Sequence, residues 1–258
     1  MTLAIGSNIA SLTAQRNLSK ATQGLSKTFE RLSSGLRINS PSDDPAGLAL
    51  ADSLRSDARI ASVAIRNAND GISLTSIADA ALGEIGNILA RMAELAEQSS
   101  NGAFTNVQRS ALSSEFLALG SEIERIASTT EFNDVSLLSN SSSTTLQVGL
   151  DGSADSRITI AAVLGTLDSI GLATGGSGAL SFSIIDTTEA GGQSASQLAL
   201  DAVNSAISSL SSARGTIGAA ESRLSHAVNH LAVAYENFVA AESRIRDADI
   251  AKEVAEMT

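Results

Sequence analysis

The chain has 258 residues, 43% of them hydrophobic but only 3% aromatic, with no Trp and no Cys. Without cysteine there is neither a disulfide framework nor thiol chemistry, and packing must rely on Ala, Leu, Ile and Ser, which suit slender helix seams better than a thick globular core. The net charge of −11 is uneven: residues 1–42 hold Arg16, Lys20, Lys27, Arg31 and Arg37 against Glu30 alone, so the acidity lies beyond them. No aromatic platform accompanies the basic end, which reads as a solvated helix face rather than a nucleic-acid surface. No stretch of 18 apolar residues is present, so membrane insertion is not expected. Met1-Thr2-Leu3-Ala4-Ile5-Gly6-Ser7-Asn8 lacks the basic and apolar regions of a cleavable signal peptide.

The first predicted helix, residues 4–36, carries Ile5, Ile9, Leu12, Leu18, Ala21, Leu25, Phe29, Leu32 and Leu36 at helical spacing. Ser40-Pro41-Ser42-Asp43-Asp44-Pro45-Ala46-Gly47 interrupts it, and Asp44 before Pro45 fits an N-cap and first helical residue. A second seam follows Leu54, Ala58, Ala61, Ile65, Ala68, Ile72, Thr75, Ala78, Leu82, Ile85, Leu89, Met92 and Ala96. Its short step at Thr75–Ala78 reads as a stammer that overwinds the supercoil. Asn101-Gly102 is a turn, Thr105 a cap, and Leu112, Phe116, Leu119, Ile123 and Ile126 a third, shorter seam.

The helical period then vanishes from Ser139 to about Ser196. Ser139 to Thr145 is a polar run, while Leu146–Leu150 and Arg157–Ile160 alternate as strands about Asp151-Gly152-Ser153. Gly175-Gly176-Ser177-Gly178 is loop, and Leu180–Ile184 a further candidate strand. From Leu200, alternate steps of three and four reach Val203, Ile207, Leu210, Arg214, Ile217, Glu221, Leu224, Val228, Leu231, Tyr235, Phe238, Glu242, Ile245 and Asp249; eleven of these fifteen positions are apolar. A seam so long, about 75 Å at about 1.5 Å per residue, exceeds most globular helices. Long helices flanking a short insert should run antiparallel, with both termini at one end. The fold class read from this order is mainly α: an elongated antiparallel helical rod of coiled-coil-like helices with a small β-hairpin insert.

Catalytic chemistry is missing. His226 and His230 have the spacing of a two-histidine metal face, but the segment lacks the metalloprotease glutamate and the chain holds no third histidine or cysteine. No serine sits in a Gly-x-Ser-x-Gly elbow, and the Gly175–Gly178 run is not followed by Gly-Lys-Ser/Thr. No cofactor, metal site or enzyme activity is expected.

Three motifs carry a family resemblance. Glu30-Arg31-Leu32-Ser33-Ser34-Gly35-Leu36-Arg37-Ile38-Asn39-Ser40 with Asp43-Asp44 and Ala46-Gly47, then Arg66-Asn67-Ala68-Asn69-Asp70-Gly71-Ile72-Ser73, then Ser243-Arg244-Ile245-Arg246-Asp247-Ala248-Asp249-Ile250-Ala251-Lys252-Glu253 resemble the hallmarks of bacterial flagellin, in order, over residues 1–138 and 197–258. The resemblance implies a structural subunit that polymerises with itself into the flagellar filament, outside the cell and serving motility. It implies a short form without large outer domains: residues 1–40 an inner-domain helix and spoke, 41–138 amino-terminal rod helices, 139–196 a short variable insert, 197–258 the carboxy-terminal rod helix. Implied partners are the flagellar type III export apparatus, an export chaperone, and hook-associated and cap proteins. The residues expected to make the seams and the assembly contacts are Ile5, Ile9, Leu12, Leu25, Leu32, Ile65, Ile72, Leu82, Leu89, Met92, Leu224, Val228, Leu231, Phe238 and Ile245.

Family members continue past the position matched by Thr258 with another amphipathic segment. The first helix is therefore expected to lack its usual partner, and the 258 residues to be monomeric or to polymerise poorly; normal filaments under the electron microscope would overturn that. Members with Gln-Arg-Val-Arg-Glu-Leu in the second helix are recognised by an innate immune receptor. The matching Ala90-Arg91-Met92-Ala93-Glu94-Leu95 keeps Arg91, Glu94 and Leu95 as an epitope but replaces an arginine with Ala93, and packing within the rod is the reading favoured for this stretch. The rival readings are a hook–filament junction protein, separable by self-polymerisation, and a secreted coiled-coil adhesin or effector, separable by binding a host partner without polymer.

Overall fold

The structure, a computed structural model, describes residues 8–173 and 178–257. Ile5 and residues 175–177 of the expected glycine-rich loop lie outside them. Helix α1 (Ile9–Ser34) starts where Asn8 Oδ1 accepts from Ser11 N at 3.0 Å, and stops at Gly35, whose left-handed φ of 71° suits a residue without Cβ. Helix α2 (Pro45–Ser100) restarts where the sequence indicated: Asp44 Oδ1 accepts from Gly47 N at 2.9 Å and Pro45 is the first helical residue. Helix α3 (Asn106–Thr129) opens at Thr105, whose N–H donates to Gln108 Oε1 at 2.9 Å.

Two hairpins follow. The first, β1 (Glu131–Phe132) with β2 (Val135–Ser136), turns at Asn133 and Asp134, both at positive φ. With two-residue strands it left no alternation to read. The second, β3 (Thr144–Gln147) with β4 (Arg157–Ile160), is the expected antiparallel pair, registering Thr144 with Ile160 and Gln147 with Arg157. Leu180–Ile184 is not a strand: Leu180 makes one bridge to Ala173, and Ile184 is buried, its carbonyl accepting from the Ser99 and Ser196 hydroxyls. Helix α4 (Glu189–Arg246) begins inside the stretch read as non-helical, because its first turns carry Gly192 and Ser196, not aliphatics, on the buried side. It does not run through Asp249 as the seam suggested. Asp249 Oδ1 accepts from Ala251 N at 3.0 Å and caps a separate helix, α5 (Ile250–Met257).

The chain divides into two compact units, residues 1–62 with 232–258, and residues 63–231; α2 and α4 contribute to both. Within unit 63–231, α2 and α4 run antiparallel, as contacts of Ser99 with Ser196, Gly86 with Leu210, Asp79 with Arg214 and Gly71 with Leu224 show. Helix α3 lies antiparallel to α2 through Arg91 with Glu115 and Arg109 with Ser99. Leu82, Ile85, Leu89, Met92, Phe116 and Ile123 form the core with Leu138, Leu167, Leu172 and Ile184. The insert is thus part of the core, not a decoration. The β3–β4 hairpin closes a second cluster, in which Ile158 and Ile160 join Ala68, Leu74, Ala220 and Leu224.

The seam registers differ from the expected ones. In α4 the large residues Val203, Leu210, Ile217, Leu224 and Leu231 are buried as read. Between them, however, Ala199, Ala206 and Ala220 are buried, while Leu200 and Ile207 are only half-buried beside the seam and Arg214 is exposed. The same happens in α2, where Ala64 and Gly71 face inward and Ile65 and Ile72 are half-buried. From Ala64 through Ala68, Gly71, Thr75 and Ala78 to Leu82 the buried steps of four and three alternate, and the consecutive steps of three fall earlier, at Ala58, Ala61 and Ala64. Small side chains on one helix meet large ones on the other: a Cβ on Gly71 would lie 3.2 Å from Leu224 Cδ1.

Candidate assembly surface

In the unit holding both ends of the described chain, α1 has no buried residue. At about 100° of rotation per residue, Ile9 and Leu12 lie on one side of the helix, and Leu18, Leu25, Phe29 and Leu32 on nearly the opposite side. Ile9 is 72% exposed, Leu18 68% and Phe29 55%, whereas Leu32 is half-buried. Helix α5 packs against α1 through its polar side. Glu253, 6% exposed, accepts from Arg31 Nη1 at 3.1 Å, while Glu253 Oε2 and Arg31 Nε find no partner among the described residues. Ile250, Val254 and Met257 point outward.

The joint beside this pair is held by main-chain bonds: Arg37 N donates to Arg246 O at 2.6 Å, and Ala248 N to Gly35 O at 2.9 Å. The connecting loop winds around Asp43, whose carboxylate accepts from the N–H groups of Asn39 and Ser40 and pairs with Lys27 at 2.5 Å. The Lys27 ammonium first, and the Ser40 amide next, hold the Asp43 carboxyl well below the usual carboxylate range. Phe238 and Ile245 of α4 are half-buried in this unit.

In unit 63–231, Leu82, Leu89, Met92, Leu224 and Leu231 are buried, and Ile65, Ile72 and Val228 half-buried. Arg91 and Glu94 are exposed, but Leu95 is 1% exposed and faces the core. Arg91 donates to Glu94 Oε2 at 2.9 Å and to Glu115 Oε1 at 2.8 Å, and the hydrogen bond to Glu94 first, then that to Glu115, raises its pKa. Arg214 is exposed and binds Asp79 through two nitrogens at 2.8 and 3.0 Å; that contact lowers the Asp79 pKa. His226 and His230 are both exposed on α4. Among the described residues no three His, Cys, Asp or Glu side chains are grouped to hold a metal ion, and no helix is long and apolar enough to cross a membrane.

One residue that the seam analysis passed over ties three elements together. Arg109, 1% exposed, donates from Nε to Ser99 O at 2.8 Å, from Nη2 to Asn101 O at 3.0 Å and from Nη1 to Glu189 O at 3.3 Å. A guanidinium at the end of α2 satisfies carbonyls that the helix leaves open and sits at the negative end of its dipole. An arginine at an otherwise apolar position of α3 was the one signal available in the sequence.

Residues 5–143 match the bacterial flagellin N-terminal helical region and residues 200–258 the bacterial flagellin C-terminal helical region. The chain belongs to the bacterial flagellin family. Similar flagellins include that of Halalkalibacterium halodurans, 41% identical over 98% of this chain and 89% of its own length, and that of Bacillus subtilis, 37% identical over 98% and 90%. The crystal structure of Bacillus cereus flagellin superposes with a TM-score of 0.53 at 29% identity, covering 64% of this chain and 88% of that one. A putative flagellar hook-associated protein from Vibrio parahaemolyticus shares the fold, with a TM-score of 0.62 at 17% identity over 80% of this chain and 99% of the other. As a flagellin, the chain is a structural subunit of the flagellar filament, an extracellular polymer of copies of itself.

Proposed function

We propose that copies of this flagellin join through α1 and α5, and that the two opposed apolar faces of α1 are the main adhesive surfaces. The observation that carries this reading is the exposure of Ile9 and Leu12 on one side of α1 and of Leu18, Leu25 and Phe29 on the other. A single neighbour covers one side of a helix, so two apolar sides call for two neighbours. Fully covering one such side chain contributes about 1.5–3 kcal/mol, and repetition along a polymer lets modest contacts hold together. Residues 1–40 then form the inner-domain helix and spoke, 41–138 and 197–258 the rod, and 139–196 the short insert. Delivery through the flagellar type III apparatus with an export chaperone, and contact with hook-associated and cap proteins, belong to the same reading. So does the absence of any catalytic role.

The experiment replaces Leu18 and Leu25 by Asp and follows assembly by sedimentation and electron microscopy. Whatever filaments or oligomers the unsubstituted chain forms, their yield is expected to collapse while helix content and the urea midpoint of unit 63–231 stay unchanged. Filaments at the unsubstituted yield would refute the proposal.

A further inference from the structure

The turn between α2 and α3 carries chemistry that polymerisation does not use. Asn101 and Gly102 are both exposed. The Asn101 side-chain oxygen is held at 3.0 Å by the N–H of Ala103, and its main-chain oxygen accepts from Phe104 N at 3.2 Å and from Arg109 Nη2 at 3.0 Å. We propose that Asn101 is a site of spontaneous self-modification, which the folded turn converts to aspartate and isoaspartate through a cyclic imide.

The steps balance with water alone. The Gly102 amide nitrogen loses its proton to solvent base and attacks Asn101 Cγ, forming the N–C bond. The Cγ–Nδ2 bond then breaks, and the nitrogen leaves as ammonia after taking a proton from water. Water opens the five-membered imide at either carbonyl, leaving aspartate or, with one extra carbon in the main chain, isoaspartate. Two features of the fold favour the attack. The Ala103 N–H sits on the oxygen where negative charge develops during addition, as a preorganised donor does in enzymes. Gly102 brings no Cβ beside the attacking nitrogen and lets the backbone swing into reach.

The molecule contains its own control. Asn140 is exposed and its Oδ1 accepts from Ser142 N at 2.9 Å, the same hydrogen bond, but the residue that follows it is Ser141. The product also has a distinctive neighbour. Arg109 donates to three carbonyl oxygens and has no ion pair among the described residues, so conversion adds a negative charge to a residue whose main-chain oxygen a buried guanidinium holds.

The test incubates the full folded chain at mildly alkaline pH and follows both peptides by mass spectrometry, with isoaspartate methyltransferase reporting the rearranged product. Asn101 should convert at least about fivefold faster than Asn140, equivalent to about 1 kcal/mol, with a rate that rises with pH. Gly102→Ala should bring Asn101 down to the pace of Asn140. A Cβ at 102 lies an ordinary 3.7 Å from the Gln193 side chain, so this variant keeps the fold, which circular dichroism checks. The proposal is overturned if folded Asn101 stays intact or lags Asn140 while the urea-unfolded chain converts it. An unchanged rate in Gly102→Ala overturns it as well.

Discussion

Replacing Ala206 by leucine, with Ile207→Ala and Leu210→Ala as companions, separates the two possible registers of α4. On the spacing of large side chains Ile207 belongs to the seam and Ala206 beside it. In the structure Ala206 is fully buried and Ile207 half-buried. A leucine at 206 must force extra carbons between α4 and the core, at a cost of about 1–3 kcal/mol. Truncating Ile207 removes side chain that is only half covered, so roughly half of the full burial value, about 1 kcal/mol, is lost, and the better helix propensity of alanine returns some tenths. Leu210, 4% exposed against Gly86, should cost about 2–5 kcal/mol when cut to alanine. Urea unfolding with unchanged slope gives the three numbers, and amide exchange over residues 199–224 confines them to unit 63–231. The expected order of cost is Leu210→Ala above Ala206→Leu above Ile207→Ala. A neutral Ala206→Leu beside a costly Ile207→Ala would refute the alanine seam.

Three further outcomes follow from the bonds described. Arg109→Lys should lower stability by about 2 kcal/mol or more in thermal unfolding, because a single ammonium cannot span three carbonyls that a charged fork satisfies at about 1.5–3 kcal/mol each. Arg214→Ala should shift the urea midpoint by only about 0.2–1 kcal/mol, since its pair with Asp79 is exposed, and the shift should shrink with added salt. The Asp43 pKa is lowered from an ordinary 3.8, so its stabilisation is present above about pH 4 and lost as pH falls through the folded value. Asp43→Asn should therefore differ from the unsubstituted chain at neutral pH and converge with it at strongly acid pH, as thermal melts across that range will show.

The elements most legible in the sequence were those with strong local signals. Asp44-Pro45 gave the start of α2, Thr105 that of α3, and the alternation around Asp151-Gly152-Ser153 gave the β3–β4 hairpin. The joint at Asp247–Asp249 was hidden because Asp249 falls on the seam spacing four residues after Ile245, whereas the main-chain bonds back to Gly35 and Arg37 and the Asp249 side-chain cap stop one helix and start the next there. The inward turn of Ala206 and Gly71 was illegible for a different reason. Pattern reading follows the larger side chains, whereas close helix approach selects the smallest. Of the candidate surface, the apolar residues of α1 were visible in the sequence, but that Ile9 and Leu12 oppose Leu18 and Leu25 needed the rotation to be followed along one unbroken helix. Arg109 could be seen only as an arginine three residues before the Leu112 seam, and its partners, on three different segments, could not be read from that.

Alanine at every second layer of α4 has one more effect. A methyl group has no χ angle to choose, so α4 contributes no rotamer entropy loss at these layers when they close. The Ala199, Ala206 and Ala220 side chains therefore have no wrong rotamer to adopt, and only the larger side chains facing them must be ordered, a form of error-proofing that needs neither rings nor cross-links in a chain with so few of the one and none of the other.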